Sequence, residues 1–365
     1  MSEKPRVLVA MSGGIDSSVA AVMLFEQGYN VIGLTMKTWD YANSGGKKKE
    51  TGCCSLDSIN DARVIAVEVG FPHIILDLRE EFGNFVIDNF ASEYLAGRTP
   101  NPCVLCNTHI KWEALLRRAD TLECSYIATG HYAKVREENG RYVISKGVDL
   151  TKDQSYALWG VSQKSLSRTI LPLGDLTKAE IRNFAKQRGF QDLLNKPESY
   201  EICFIPDNDY RGFLKRKISG LESLQNGDFI LEDGTIVGKH EGYPFYTVGQ
   251  RKGLKIALGY PVYVTRIIKE KNQIVLGNLD DLAKNGMYVG NLIMGKYDTL
   301  RNCLDTTTKI RYSDNGTPAI IEQQDSTMKV LFKNKVYAIT PGQAAVFYEK
   351  EDIIGGGWII SAFDQ

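Results

Sequence analysis

Residues 7–18 read Val-Leu-Val-Ala-Met-Ser-Gly-Gly-Ile-Asp-Ser-Ser, and this stretch limits the fold more than any other. The apolar run from Val7 to Met11 has the character of a strand buried on both faces, as in a parallel sheet. Ser12-Gly13-Gly14 follows; two residues without a Cβ permit a sharp turn and close approach to a ligand. From Asp16, Ser17 and Ser18 a helical pattern runs on, with Val19, Val22 and Met23 on one face and Gly28 as its stop. Strand, glycine turn and helix N-terminus together present unpaired backbone N–H groups to an anion. The spacing is not that of a Walker A loop, because Gly-Lys-Ser/Thr is missing, nor is it Gly-x-Gly-x-x-Gly. The plain alternative is a glycine-rich βα turn without a ligand.

The residues that follow agree with a parallel sheet. Strand patterns at 31–36, 73–78 and 126–129 alternate with helical patterns at 55–69, 80–95 and 111–118. This predicts a doubly wound α/β domain over residues 1–206. A further helix is expected at 178–187, capped by Thr177. Arg98-Thr-Pro-Asn-Pro-Cys-Val-Leu-Cys106-Asn reads as a stiff, extended loop because of its two prolines. Lys47-Lys48-Lys49 lies in a polar loop after the second strand. Beyond residue 206, glycine and aspartate turns separate short β-rich runs at 228–231, 235–237, 262–268, 273–276, 309–312, 319–322, 328–332, 344–348 and 357–360. They predict antiparallel sheet, divided into a small β-rich domain at 207–280 and a C-terminal β-barrel at 281–365 that grips the substrate.

Hydrophobic residues make up 43% of the 365 and charged residues 24%, the balance of a soluble globular chain. No apolar run approaches the ~18 residues of a membrane span, and Met-Ser-Glu-Lys-Pro is no secretory signal. A cytoplasmic location and no membrane partner are therefore expected. The formal net charge is zero, which neither supports nor excludes a nucleic-acid partner.

Seven cysteines in such a chain read as reactive thiols or metal ligands rather than structural disulfides. Cys103 and Cys106 form a C-x-x-C that fits a redox pair, half a metal site or chance. No second C-x-x-C exists to complete a zinc ribbon. Cys203 lies in a proline-flanked loop and is expected to meet Cys106 in space. Cys103, Cys106 and Cys203 together could hold an iron–sulfur cluster with one open iron, or zinc. Cys53 and Cys54 read as packing thiols, and Cys124 and Cys303 as buried small hydrophobes.

Ser-Gly-Gly-Ile-Asp-Ser resembles the signature of the PP-loop ATP pyrophosphatases. With it stand Gly97-Arg98-Thr-Pro-Asn-Pro, Leu105-Cys106-Asn107, Ala128-Thr-Gly-His131-Tyr, Lys152-Asp-Gln-Ser-Tyr, Ser199-Tyr-Glu-Ile-Cys203-Phe, Gly249-Gln-Arg-Lys-Gly253 and Thr340-Pro-Gly-Gln-Ala344. In this order, and nearly end to end, the chain resembles the tRNA-specific 2-thiouridylase family. The resemblance implies an adenine nucleotide alpha hydrolase-like first domain and replacement of the C2 oxygen of the wobble uridine by sulfur. The oxygen is first adenylated by ATP, with Mg²⁺, and AMP is then displaced. Ala10, Met11, Ser12, Gly13, Gly14, Ile15, Asp16, Ser17, Met36 and Gly130 would contact ATP. Ser12, Ser17, Ser18 and backbone amides would hold pyrophosphate, and Asp16 would help position Mg²⁺. A sulfur-relay partner would load a persulfide on Cys203. Cys106 would be the nucleophile, leaving a transient Cys106–Cys203 disulfide, and its place just before a helix would favour thiolate. Asn101, Pro102 and Cys103 would sit against the target base. His131, Lys152, Asp153, Gln154, Arg311, Tyr312 and Gln343 would touch the tRNA, which presents its anticodon loop. Separately from the resemblance, a monomer is expected. The family pattern has an aspartate, a candidate acid–base group, where this chain has Cys103.

Overall fold

The structure is a computed structural model that describes residues 4–39, 56–196, 202–205 and 207–364. Lys47–Lys49, Cys53 and Cys54 lie outside the described residues. The chain divides into two units. One comprises Met1–Ile87, Pro102–Asp209 and Glu351–Ile353; the other comprises Asp88–Asn101, Tyr210–Lys350 and Ile354–Gln365.

The first unit is built on a parallel sheet. Its strands are β1 (Lys4–Ala10), β2 (Tyr29–Lys37), β3 (His73–Asp77), β4 (Tyr126–Ala128) and, after a hairpin of β5 (Ala133–Glu138) and β6 (Arg141–Lys146), β7 (Thr169–Ile170). The order is β3-β2-β1-β4-β7, with Val7 opposite Val31 on one side and Tyr126 on the other. Val7, Leu8 and Val9 are wholly buried, which explains why β1 carries no polar alternation. Helix α1 (Ile15–Glu26) covers it; Val19, Ala20, Ala21, Val22 and Leu24 are buried. Each large apolar side chain so buried stabilises the unit by about 1.5–3 kcal/mol, while the two alanines permit close helix–sheet packing. Gly28, at φ +87°, ends the element. The expected doubly wound sheet is therefore observed. Strand order turns outward on both sides of β1, so the crevice beyond the carboxyl ends of β1 and β4 is its switch point.

Three local expectations need correction. The helix expected at 80–95 is an α-turn (Arg79–Phe82), a π-helical turn (Gly83–Ile87) and a second helix (Asp88–Leu95). The stiff loop after residue 98 is extended only at first. Pro102, which needs no N–H bond at a helix start, opens a helix Pro102–Leu105 that runs into a π-helical segment Cys106–Ala114 and then Leu115–Thr121. The β5–β6 hairpin was not expected. Its turn is Asn139-Gly140, at φ +52° and +75°, the residue pair that best tolerates two left-handed positions. Asp352 locks this hairpin: it pairs with Ser145 and accepts two bonds from Arg136, at 2.9 and 2.8 Å.

The second unit holds two β modules. In the first, β8 (Gly227–Leu231), β9 (Ile236–His240), β10 (Tyr263–Ile268) and β11 (Gln273–Gly277) lie in the order β10-β11-β8-β9. β8 and β11 run parallel, against the antiparallel expectation. In the second, β12 (Ala283–Met294), β13 (Leu304–Lys309), β14 (Thr317–Gln324), β15 (Thr327–Tyr337), β16 (Ala344–Glu349) and β17 (Asp352–Phe363) follow the order β12-β15-β14-β13-β16-β17. β12 pairs back with β17, giving the expected barrel. The strand expected at 309–312 stops at Lys309. There Asp314 accepts the N–H of Ile310 and of Gly316, each at 3.0 Å, and turns the chain.

Candidate active site

The turn after β1 sits at the switch point. The Ser12 N–H donates to Ser17 Oγ (3.0 Å), and Ser17 Oγ donates to the Gly14 carbonyl (3.2 Å). Ser12 Oγ and Ser17 Oγ are 3.2 Å apart. Gly13 has φ +71°, and a Cβ there would lie 2.7 Å from the Ser58 carbonyl carbon. Gly14 is the N-cap of α1 and offers no side-chain cap. The N–H groups of the first helical turn are thus left open, where the helix dipole favours an anion. The Ser18 hydroxyl is buried and has no hydrogen-bond partner among the described residues. This donor set fits a pyrophosphate. Across the switch point, Gly130 abuts the same turn: a Cβ there would lie 2.8 Å from the Asp16 carbonyl carbon and from the Ser17 nitrogen.

Asp16 carries more structure than its place in the motif foretold. Its carboxylate accepts two bonds from Lys178 Nζ, at 2.7 and 2.9 Å, and one from the Tyr132 hydroxyl at 2.6 Å. Lys178 is the first residue of the helix Lys178–Gln187, whose Thr177–Glu180 capping box is complete. Asp149 accepts the Lys178 N–H at 3.0 Å. The lysine is thus aimed at the turn by its own helix start. Lys196 also reaches the turn, donating to the Gly13 carbonyl at 3.2 Å and pairing with Asp61. At the floor, Thr35 Oγ1 donates to the Met11 carbonyl (2.9 Å) and bonds His73 Nε2 (2.9 Å); burial lowers the pKa of His73. Lys178, Lys196 and Tyr132 escape a sequence reading because each reaches the turn from far along the chain.

The expected nucleotide residues Ala10, Met11, Ser12, Gly13, Gly14, Ile15, Asp16, Ser17 and Gly130 gather at this crevice. Met36 lies near the end of β2, opposite Leu76.

Cys103 and Cys106 sit on helical backbone and Cys203 in a turn. Cys103 is exposed, Cys106 partly buried and Cys203 exposed. Cys106 is not the residue before a helix. It lies a turn inside one that starts at Pro102, so the first-turn dipole favours Cys103 instead. Yet protein crowds the Cys103 sulfur although the residue reaches the surface. That desolvation pushes its thiol pKa up, against the pull of Lys111, so Cys103 is no carboxylate substitute at neutral pH. Phe204, next to Cys203, packs edge-on against Phe82 (5.7 Å) and at a tilt against Trp39 (6.3 Å). The segment carrying Cys203 is anchored there. Among the described residues no three of His, Cys, Asp or Glu converge to hold a metal ion. Cys124 is buried as expected, whereas Cys303 is exposed, since it precedes β13 and lies outside the barrel interior.

His131 is buried, bonds Thr129 Oγ1 at 2.8 Å and lies against the Trp112 ring at 5.4 Å. Burial, aided by Lys111, drives its pKa well below 6.5, so the ring is neutral. Asp153 accepts from Gly147 N–H, Ser155 N–H and Ser155 Oγ. Gln154 accepts from Tyr132 N–H at 3.0 Å. These two shape the turn beside partly exposed Lys152. In the second unit Gln343 Nε2 donates to the carbonyls of Thr99 (3.1 Å) and Pro100 (2.8 Å), so it props the segment that leads to Asn101. Arg311 and Tyr312 are exposed on the turn after β13.

Comparison with known proteins matches the whole chain. Residues 5–207 fit a family profile described as the tRNA methyl transferase HUP domain. Residues 211–278 fit the tRNA methyl transferase PRC-barrel domain, and 285–359 the aminomethyltransferase beta-barrel domain. A protein of Amoebophilus asiaticus named tRNA-specific 2-thiouridylase MnmA is 71% identical over 100% of this chain and 97% of its own length. Proteins of the same name from Cytophaga hutchinsonii and Salinibacter ruber are 69% and 58% identical, over 100% and 98% of this chain and 100% and 95% of their own. With identity this high over its full length, the chain belongs to the tRNA-specific 2-thiouridylase family.

Proposed function

We propose that this protein is an ATP-dependent sulfurtransferase that makes 2-thiouridine at the wobble position of tRNA. The observation that carries the reading is full-length identity with relatives named for that activity. The open helix start beside Ser12–Ser17, in the same unit as Cys103, Cys106 and Cys203, agrees with it.

The uracil C2 carbonyl lies between two nitrogens and is a weak electrophile. ATP supplies an adenylyl group that makes its oxygen a leaving group. The turn residues Ser12, Gly13, Gly14 and Ser17 hold the departing pyrophosphate with backbone N–H and hydroxyl donors. Asp16 is the carboxylate that would hold Mg²⁺, and its present cation is the Lys178 ammonium. A persulfide on Cys203 is the sulfur source, loaded by a donor protein. Attack of the Cys106 thiolate on the inner sulfur forms a Cys106–Cys203 disulfide and frees hydrosulfide, which adds at C2 and expels AMP. An external thiol then reduces the disulfide. Asn101, Pro102 and Cys103 position the base, and His131, Lys152, Asp153, Gln154, Arg311, Tyr312 and Gln343 serve the tRNA. Asp153, Gln154 and Gln343 do so by holding backbone in place. The protein acts as a monomer in the cytoplasm; among the described residues no helix is long and apolar enough to cross a membrane.

The test is mass spectrometry of tRNA nucleosides after incubation with ATP, Mg²⁺ and a persulfide source. Sulfur on uridine is expected, and its absence refutes the reading. The profile names speak of methyl transfer, and other PP-loop synthetases share the turn. Neither needs a second thiol, so a Cys203→Ala variant with full turnover would favour them.

A further inference from the structure

The small β module of the second unit gathers cations that the sulfur chemistry does not use. In the helix Tyr210–Lys217, Arg211 and Lys215 lie one turn apart on one face. The Arg211 guanidinium sits over the Tyr246 ring at 5.0 Å and the Lys215 ammonium over the Phe245 ring at 5.1 Å. Lys215 and Lys255 share the single carboxylate of Glu241, at 3.7 and 3.1 Å. The Gly249–Gly253 loop lies against this group: a Cβ on Gly253 would be 3.9 Å from Arg211 Nη2.

That loop is held from within. Gly249 and Gly253 take φ +88° and +77°, which side chains resist. Gly249 N–H donates to the Val264 carbonyl (2.8 Å), and Val264 N–H to the Gln250 carbonyl (2.9 Å). The Gln250 amide accepts from Thr247 N–H (3.2 Å) and donates to the Lys252 carbonyl (2.9 Å). With the backbone so fixed, Arg251 and Lys252 stand exposed, and their side chains have no partner among the described residues. Two unneutralised cations on a rigid loop, with three more beside one carboxylate, form a surface for a polyanion with regularly spaced charges.

We infer that the Gly249–Gly253 loop and the adjoining Arg211 face bind the phosphate backbone of the tRNA, outside the reacting base. This rests on tRNA being the substrate. The contact is electrostatic and carries no base readout. Each phosphate neutralised contributes about 0.7–0.9 to the slope of log affinity against log salt.

The experiment is anisotropy titration of unmodified tRNA with the full-length protein across a KCl series, alongside thiolation. Arg251→Ala/Lys252→Ala is expected to lower the salt slope by about 1.4–1.8 and to raise KM for tRNA several-fold. Arg251→Ala alone is expected to lower the slope by half of that. Arg251→Lys/Lys252→Arg keeps the charge and should keep the slope. An unchanged slope in both alanine variants, with wild-type thiolation intact, overturns this inference alone. So does binding to anionic phospholipid vesicles that depends on the two residues while tRNA binding does not. A wild-type protein that neither binds nor thiolates tRNA overturns the functional reading as well.

Discussion

Gly13 and Gly14 are chemically identical neighbours, yet the structure gives them different tasks, and alanine should separate these. At Gly13 the backbone has φ +71°, a left-handed position that costs an L-residue about 1–2 kcal/mol. A Cβ would also lie 2.7 and 2.8 Å from the carbonyl carbon and Cα of Ser58. Those are backbone atoms of α2 (Leu56–Val69), so no side-chain rotation relieves the overlap, and forced packing adds about 1–3 kcal/mol. The expected loss for Gly13→Ala is therefore about 2–5 kcal/mol, a large part of a typical domain's 5–15 kcal/mol. At Gly14, φ is −89° and ψ 163°, and a Cβ would meet only Ser12 Oγ at 3.6 Å. Gly14→Ala should cost about 1 kcal/mol or less, the penalty of a poorer N-cap. It should nevertheless weaken ATP binding, because the new methyl group stands where phosphate approaches. Urea unfolding followed by tryptophan emission gives the stabilities, and calorimetric titration with ATP gives the affinities. The reasoning fails if Gly13→Ala stays within about 1 kcal/mol of wild type, or if both variants are equally destabilised.

Other outcomes follow from the same geometry. Cys106→Ala and Cys203→Ala should each abolish sulfur gain on tRNA while leaving tRNA-dependent pyrophosphate release, measured by a coupled phosphate assay; loss of both signals together would contradict the division of labour. Lys178→Met strands the partly buried Asp16 carboxylate and should destabilise the first unit by about 1–3 kcal/mol, between the exposed and buried limits for ion pairs; unchanged denaturation would show the pair to be idle. His131 is held neutral by burial, below its ordinary 6.5. The unfolded chain takes up that proton first, so stability contributed by the neutral ring is present above pH 6.5 and lost as pH falls toward the lower folded pKa. A His131→Gln variant should therefore lose less stability than wild type between pH 7 and pH 5, and an identical pH profile would refute the assignment. Thr177→Ala removes half of the capping box that aims Lys178 and should cost about 1 kcal/mol, visible as a lower melting temperature.

What could be read from the sequence is local. β1, its turn and α1 follow from an unbroken apolar run, two glycines and a helical face, and Thr177 announced the helix Lys178–Gln187 because an N-cap acts over three residues. The β5–β6 hairpin is equally legible in Asn139-Gly140, the residue pair of a two-residue hairpin turn. The π-helical turns were not legible, since one extra residue per turn reflects packing rather than propensity. Nor were Lys178 and Lys196: their partners at Asp16 and Gly13 lie far back in the chain, and no periodicity records such a meeting. Cys106 lies inside its helix rather than before it because Pro102, a breaker in most positions, serves here as the first residue of the element.

The barrel joins its first strand to its last: Gly286 lies opposite Phe363 and Met287 opposite Ala362. During synthesis β12 emerges long before the partner that completes its hydrogen bonding, and it waits with an unsatisfied edge until β17 has been made. A premature stop ahead of β17, at the codon for Asp352, would leave that edge open for good, with Met287 and Val289 no longer shielded on that side. Such a truncated chain should be found in aggregates rather than as a slightly shortened enzyme.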